Sequence, residues 1–232
     1  MTIAIIGAMD EEIAYFKEMM TVNHETVKAH VTFYEGKIEN TDIILLKSGI
    51  GKVNAAMATT ILMENYDIER VINTGSAGGF NEAYQIGDIV IANEVVHHDA
   101  DARAFNYELG QIPQMPARFK ADPQLIKDTQ AILESLALPH HVGLIGTADT
   151  FMADPLKVKA VREGFPDMIA AEMEAAAIAQ VCYQYEVPFI VMRALSDIAG
   201  VESSFSFEEF IQVAAKNSTD MILKYIQYQE NR

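Results

Sequence analysis

An acidic side chain follows an apolar, strand-forming run in the last quarter of the chain. Residues 187–192 read Val-Pro-Phe-Ile-Val-Met, and Arg193 and the pair Ser196-Asp197 come soon after. Ligands of open α/β sheets bind beyond the carboxyl ends of the strands. A partly buried carboxyl group there has the raised pKa that a general acid needs. The alternative is that Ser196 and Asp197 cap a following helix, which this segment alone favours.

A second acidic group, Asp10-Glu11-Glu12, follows the first apolar run, residues 2–8. Acidic residues in the first turn of a helix offset its dipole, so a purely structural role is a strong alternative. The same turn lies at the carboxyl end of the first predicted strand, however, where a general base would be useful.

Two further carboxyl groups, Glu172 and Glu174, stand in an alanine-rich segment. Isolated buried carboxylates are costly, so each should have a partner. The segment is predicted to be helical, and residues two apart on a helix do not share a face. We therefore expect one carboxylate to face a ligand and the other to meet a cation such as Arg193, unless both are on a solvated helix face.

Three other segments have residues suited to ligand contact. The glycine-rich run 73–79 contains Ser76 and Gly78, and glycine lets a backbone approach a ligand closely, although a plain turn is an equal alternative. Phe151-Met152 could sandwich a flat heterocycle. More often such a pair belongs to the core, and the same ambiguity applies to Phe205 and Phe207.

Alternating strand and helix patterns must position these side chains. They predict right-handed crossovers and a mainly parallel α/β sheet, which an early hairpin-like pair makes mixed. The predicted strands cover 2–8, 31–34, 43–46, 70–73, 88–96, 142–145 and 187–192. The first predicted helix begins at Asp10, and the others cover 54–65, 123–136, 155–163, part of 169–185, and 207–228. Residues 99–118 are predicted to form a long loop.

Composition restricts the possible partners and location. The 232 residues predict one domain over 1–232, and the formal charge of −16 argues against nucleic acid and anionic membranes. Cys182 is the single cysteine, the N-terminus reads as a strand rather than a signal peptide, and no apolar run spans a bilayer. We expect a cytoplasmic protein.

Three familiar cofactor motifs fail. The run Gly7-Ala8-Met9 lacks the second glycine of a dinucleotide fingerprint. Gly51-Lys52 resembles part of a phosphate-binding loop, but neither the first glycine nor the final Ser/Thr is present. Adjacent histidines at a strand end, His97 and His98, point to opposite faces, so we predict no metal site.

Taken together, the segments resemble the nucleoside phosphorylase/hydrolase superfamily, and more closely the bacterial 5′-methylthioadenosine/S-adenosylhomocysteine nucleosidases. The matching segments are 5–9 with Glu11-Glu12, 47–53, 73–79, 98–101, 119–122, 172–175, 193–197 and 205–210. The resemblance implies a three-layer α/β/α domain around a mixed, barrel-like sheet. It also implies a homodimer and hydrolysis of the N-glycosidic bond of a purine nucleoside without a cofactor.

The resemblance also implies roles for individual residues. Asp197 would be the general acid at adenine N7, and Glu12 would activate the attacking water. Met173 and Glu174 would hold the ribose, and Phe151 and the Met152 backbone would contact the base. Ser76 and Gly78 would lie near ribose, water and base. The pocket for the 5′-thio group would be lined by Met9, Ile50 and Phe207. Glu172 and Arg193 complete the expected site. Ala102, Phe105 and Pro113, in loop 99–118, would reach the partner subunit's site.

Two rival functions use the same residues. A purine nucleoside phosphorylase needs fixed cations for phosphate, yet the first loop is acidic, and Asn73 occupies the position of an arginine in the similar phosphorylases. A catalytically silent nucleoside-binding protein would need neither Glu12 nor Asp197. We therefore expect hydrolysis, with methylthioadenosine, S-adenosylhomocysteine and 5′-deoxyadenosine as unranked substrates.

Overall fold

One mixed sheet forms the centre of the computed structural model, which describes residues 2–200 and 203–230. Five of its strands close into a barrel, in the order β5-β10-β6-β8-β9, because β9 pairs back onto β5. The strands are β1 (Thr2–Gly7), β2 (Thr21–Lys28), β3 (Val31–Ile38), β4 (Thr41–Lys47), β5 (Arg70–Gly79), β6 (Ile89–His97), β7 (Phe119–Lys120), β8 (His140–Thr147), β9 (Met168–Glu172) and β10 (Phe189–Ile198).

Helices cover both sides of this sheet. The helices are α1 (Asp10–Met19), α2 (Lys52–Asn65), α3 (Pro123–Ser135), α4 (Pro155–Gly164), α5 (Ala175–Gln184) and α6 (Ser203–Glu230). Buried side chains of α2 and α5 share one apolar cluster with the sheet, whereas α1, α3 and α6 share another. The expected three-layer α/β/α architecture with a mixed, barrel-like sheet is confirmed. No helix in the described ranges is long and apolar enough to cross a membrane.

The secondary structure differs from the sequence prediction in four places. Residues 21–28 form a strand that the pattern missed, since its polar, exposed side chains show no clear alternation. The glycine-rich run 73–79 is not a loop but the second half of β5. The segment 169–185 is a strand followed by a helix, because Glu172 ends β9 and α5 begins only at Ala175.

At the fourth place, Ser196 and Asp197 do not cap a helix. Strand β10 continues to Ile198, paired with β5 through an irregularity between Leu195 and Asp197. Because of this shift in register, Asp197 lies opposite Gly78. In a regular ladder it would lie opposite Gly79. Such irregularities redirect side chains near binding sites, and here one brings a carboxyl group close to a glycine.

Candidate active site

A cavity of about 350 Å³ opens at the carboxyl ends of β1, β5, β9 and β10. This volume lies in the range of small-ligand pockets. Twelve of the residues selected from the sequence line it: Met9, Glu12, Ile50, Ser76, Gly78, Phe151, Glu172, Met173, Glu174, Arg193, Asp197 and Phe207. The fold therefore brings together residues that are separated by almost two hundred positions in the chain.

Glu12 is held at one wall by the backbone around it. Its carboxylate Oε2 accepts hydrogen bonds from the N–H groups of Ala8 (2.7 Å) and Met9 (3.3 Å). Its Oε1 accepts from the N–H and the hydroxyl of Ser76, at 3.0 and 3.1 Å. Gly75 makes this approach possible: its φ is +134°, and a Cβ there would lie 2.5 Å from Glu12 Oε1. Gly75 of β5 is thus required for the position of Glu12.

Asp197 lies at another wall with fewer hydrogen-bond donors. Its side chain is 3% exposed, and its Oδ1 accepts a hydrogen bond of 2.9 Å from the Ser196 hydroxyl. Burial raises the pKa of Asp197 to about 6, against the smaller lowering effect of the Ser196 hydrogen bond. A carboxyl group with this pKa can carry and donate a proton close to neutral pH.

Arg193 lies fully buried between the two remaining carboxylates. Its Nη2 is 2.6 Å from Glu172 Oε2 and 3.2 Å from Glu174 Oε2. The same nitrogen donates to Asn73 Oδ1, and Nη1 donates to the Ser76 carbonyl, each at 2.9 Å. The expectation that a single carboxylate would meet Arg193 was wrong: both do. The cause is local structure, since Glu172 ends a strand and Glu174 precedes a helix.

Glu174 is the carboxylate of this pair with the clearest access to a ligand. Its Oε1 accepts a 2.9 Å hydrogen bond from the Gly51 N–H, and its side chain lines the cavity. Burial raises the pKa of Glu174 to about 7; Arg193 counteracts the rise and the charge of Glu172 adds to it. Glu172 lines the same cavity but accepts hydrogen bonds from Thr147 and two backbone N–H groups.

Aromatic side chains form the outer part of the cavity. Phe151 and Phe207 meet edge to face, with ring centroids 5.7 Å apart, and Phe151 remains 41% exposed. Met152, expected to contact the ligand through its backbone, is buried and does not line the cavity; its carbonyl accepts from the Gly200 N–H at 3.1 Å. The side chain of Phe205 lies outside the described residues.

The long loop 99–118 does not line the cavity of its own chain. Its residues Ala102, Phe105 and Pro113 are absent from the cavity walls, and Phe105 is 77% exposed. Two residues near the start of this loop, His97 and Asp99, contact other elements. His97 Nε2 lies 3.0 Å from Gln180 Oε1, and Asp99 forms an ion pair with Lys52. Across the described part of the chain, no group of three or more His, Cys, Asp or Glu side chains could hold a metal ion.

Several residues of the site were not selected from the sequence. The cavity is also lined by Ala8, Ala77, Ala171, Ser196 and Glu208. Ala8 and Gly51 act through backbone N–H groups, which no residue type reveals, and Thr147 contacts Glu172 from outside the cavity. Ser196, directly before Asp197, carried a chemical signal in the sequence, a hydroxyl next to a candidate acid, and Ala8, Ala77 and Glu208 lie in segments that match the family.

The chain is a member of the phosphorylase superfamily, because the model of that family matches residues 2–227, which include the barrel and the cavity. A 5′-methylthioadenosine/S-adenosylhomocysteine nucleosidase from a Geobacillus species is 55% identical over 227 residues, which cover 97% of this chain and 98% of that protein. The chain therefore belongs to the 5′-methylthioadenosine/S-adenosylhomocysteine nucleosidase family, as the sequence resemblance indicated.

Solved structures agree with this assignment. The nucleosidase of Colwellia psychrerythraea, in complex with adenine, has a TM-score of 0.95 and 45% identity, over 98% of this chain and 95% of that one. The nucleosidase of Neisseria meningitidis, in complex with methylthio-immucillin-A, has a TM-score of 0.95 and 42% identity, over 97% and 98% of the two chains.

Proposed function

We propose that this chain hydrolyses the N-glycosidic bond of 5′-methylthioadenosine and S-adenosylhomocysteine, and of 5′-deoxyadenosine, releasing adenine and the 5′-substituted ribose. Such a reaction serves methionine salvage and the recycling of S-adenosylhomocysteine. The family supports the activity, since its curated members carry that name. The observation that carries the mechanism is that Glu12 and Asp197 line one cavity in opposite environments.

The two carboxyl groups divide the chemistry between them. Cleavage of the bond builds positive charge on the ribose and negative charge on the departing base. Asp197 gives its proton to N7 of adenine, while the ionised Glu12 takes a proton from the attacking water on the opposite face, as in an inverting glycosidase. Positioned proton transfer of this kind contributes about 10²–10⁴-fold to the rate.

The other cavity residues hold the substrate. Glu174 accepts hydrogen bonds from the ribose hydroxyls beside Met173, and in its ionised form its negative charge favours the cationic sugar of the transition state. The rest of the substrate follows the order of the cavity walls, with ribose, water and base at Ser76 and Gly78, adenine at Phe151, and the 5′-thio group at Met9, Ile50 and Phe207. The Met152 backbone, which does not line the cavity, is proposed as a further contact to adenine.

Water is favoured over phosphate as the nucleophile by the charge of the cavity. Arg193 is the only basic side chain lining it among the described residues, and two carboxylates and Asn73 already occupy Arg193. A phosphate ion would lack a free cation and would face Glu12 and Glu174.

The test is chromatographic detection of adenine after purified protein is mixed with methylthioadenosine in phosphate-free buffer. We expect adenine release whose rate does not change when phosphate is added. A strict requirement for phosphate would identify a phosphorylase instead, and absence of adenine under both conditions would contradict the proposed activity.

We further propose a single catalytic domain that works as a cytoplasmic homodimer. In this arrangement, Ala102, Phe105 and Pro113 of loop 99–118 complete the apolar end of the partner subunit's site. The exposure of Phe105 and of Ile50, 77% and 49%, supports a contact that covers both. Sedimentation analysis should give twice the chain mass, and Phe105→Ala should raise KM more than it lowers kcat; a monomer with full activity would contradict the dimer.

A further inference from the structure

Thr147 is a fully buried residue at the end of β8, just outside the cavity. Its hydroxyl makes two hydrogen bonds with different elements. It donates to Glu172 Oε1 at the end of β9, and it accepts from the N–H of Ala176 in the first turn of α5, at 2.8 Å. One hydroxyl therefore connects a barrel strand, a cavity carboxylate and a helix start.

The other oxygen of Glu172 is already committed. Oε2 accepts from the N–H groups of Glu174 (2.9 Å) and Ala175 (2.7 Å) and forms the 2.6 Å ion pair with Arg193. Thr147 occupies the opposite oxygen, so the carboxylate is fixed at both ends. Rotation about the last side-chain bond of Glu172 would break contacts on both sides.

The fixed carboxylate in turn determines where two cavity groups lie. It binds the backbone N–H of Glu174 and the guanidinium of Arg193, and that guanidinium also contacts the Glu174 carboxylate and the Ser76 carbonyl. Counted through Glu172 and Arg193, the hydroxyl of Thr147 is thus three contacts away from the Glu174 carboxylate and from Ser76, the residue that holds Glu12.

We propose that Thr147 is a positioning residue for the reaction: through Glu172, its hydroxyl sets the placement of Arg193 and Glu174 against the ribose. The inference rests on the proposed hydrolysis and deepens it. Thr147 touches no reacting atom, but displacing a supporting group by about 1 Å costs a reaction roughly 10²-fold.

A purely structural role gives a different expectation. Because the hydroxyl also satisfies the Ala176 N–H, it acts as part of the N-terminal cap of α5, and losing a cap lowers the stability of the fold. That loss would leave the folded enzyme active. Activity at a temperature where all variants are folded therefore separates positioning from capping.

The experiment compares Thr147→Val, which keeps the shape and loses the hydroxyl, with Thr147→Ser, which keeps the hydroxyl. The matched control is Thr129→Val, because Thr129 is equally buried and its hydroxyl faces Met192 Sδ at 3.9 Å instead of a carboxylate. We measure kcat and KM for methylthioadenosine, the inhibition constant of free adenine, and the melting temperature of each variant.

We expect Thr147→Val to lower kcat/KM by about 10- to 100-fold, while Thr147→Ser and Thr129→Val stay within about threefold of the parent. Free adenine lacks the ribose, so its inhibition constant should change by less than about twofold in Thr147→Val. Should Thr147→Val not fold, Thr147→Cys makes the same test, since a thiol is a weak donor; its kcat/KM should fall below that of Thr147→Ser.

Three results would overturn the inference. One is a kcat/KM of Thr147→Val, or of its cysteine substitute, equal to that of the parent. Another is an equal loss in Thr129→Val or in Thr147→Ser. The third is a matching loss of adenine affinity, which would show general disruption of the cavity. Failure of the parent protein to release adenine would instead contradict the proposed function, so the two failures are distinguishable.

Discussion

The two walls of the cavity bury a carboxyl group equally well but surround it differently. Glu12 and Asp197 are 2% and 3% exposed. Glu12 accepts hydrogen bonds from Ala8, Met9 and Ser76, whereas Asp197 accepts one from Ser196. Donors favour a charged carboxylate, and burial without them favours the protonated form. Under the proposed mechanism, hydrogen-bond supply, rather than depth, would separate the base from the acid at one end of the same sheet.

The largest expected effect comes from removing either carboxyl group while keeping its shape. Asp197→Asn cannot deliver a proton, and Glu12→Gln cannot accept one. Each should lower kcat for methylthioadenosine by at least about 10²–10⁴-fold, the usual contribution of positioned proton transfer. Steady-state adenine release measures this, with Asp67→Asn, an exposed acid outside the cavity, as the control. A near-normal rate in either variant would remove that residue from the mechanism.

The same two variants should have opposite effects on stability. The folded-state pKa of Asp197 is raised from 3.8 to about 6, so the folded protein binds this proton more tightly than the unfolded chain does. The free energy of unfolding of the parent therefore decreases as the pH rises from about 4 through 6. Asparagine does not titrate. The free energy of unfolding of Asp197→Asn should therefore exceed that of the parent by roughly 1–3 kcal/mol above pH 6, and the two should be equal near pH 4.

Glu12→Gln should instead destabilise the fold. Both oxygens of Glu12 accept backbone N–H groups, so the NH₂ of glutamine would face a donor from Ala8 or Ser76. One buried donor left unpaired costs about 1–3 kcal/mol. Denaturant unfolding at pH 4 and pH 8 measures both variants. Equal shifts in the same direction would mean that the two walls do not differ as described.

How much of this contrast the sequence could predict depends on where each carboxyl group gets its environment. The strand that precedes Glu12 and the apolar run that precedes Arg193 were readable from hydrophobic patterns, and the mixed α/β fold followed from their alternation. The donors to Glu12 were not readable, because Ala8 and Met9 contribute backbone N–H groups and Ser76 comes from a distant strand.

Local structure was harder to predict where chemistry overrides propensity. The alanine-rich segment around Glu172 and Glu174 favours a helix, yet β9 extends to Glu172 through its pairing with β8. Similarly, Ser196-Asp197 is a usual helix cap, but pairing with β5 extends β10 past it. In both places hydrogen bonding between strands decides the structure. The contact of both Glu172 and Glu174 with Arg193 could therefore not be deduced from residue spacing.

The smallest expected effect tests the single donor on the acid wall. The Ser196 hydroxyl lowers the pKa of Asp197 against the effect of burial. In the parent, kcat/KM should decrease as the pH rises through about 6, because the free enzyme loses the proton that Asp197 must donate. Ser196→Ala removes the donor, so the pKa of Asp197 rises and this alkaline limb should move upward by up to about one pH unit.

The matched control is Ser218→Ala, an equally buried serine whose hydroxyl contacts Thr74 and the Met192 carbonyl. Its pH profile should coincide with that of the parent. A limb that stays in place in Ser196→Ala, or moves to lower pH, would mean that Asp197 does not set it. A limb that moves upward while kcat at low pH is unchanged would show that Asp197 works as an acid because donors to its carboxylate are scarce.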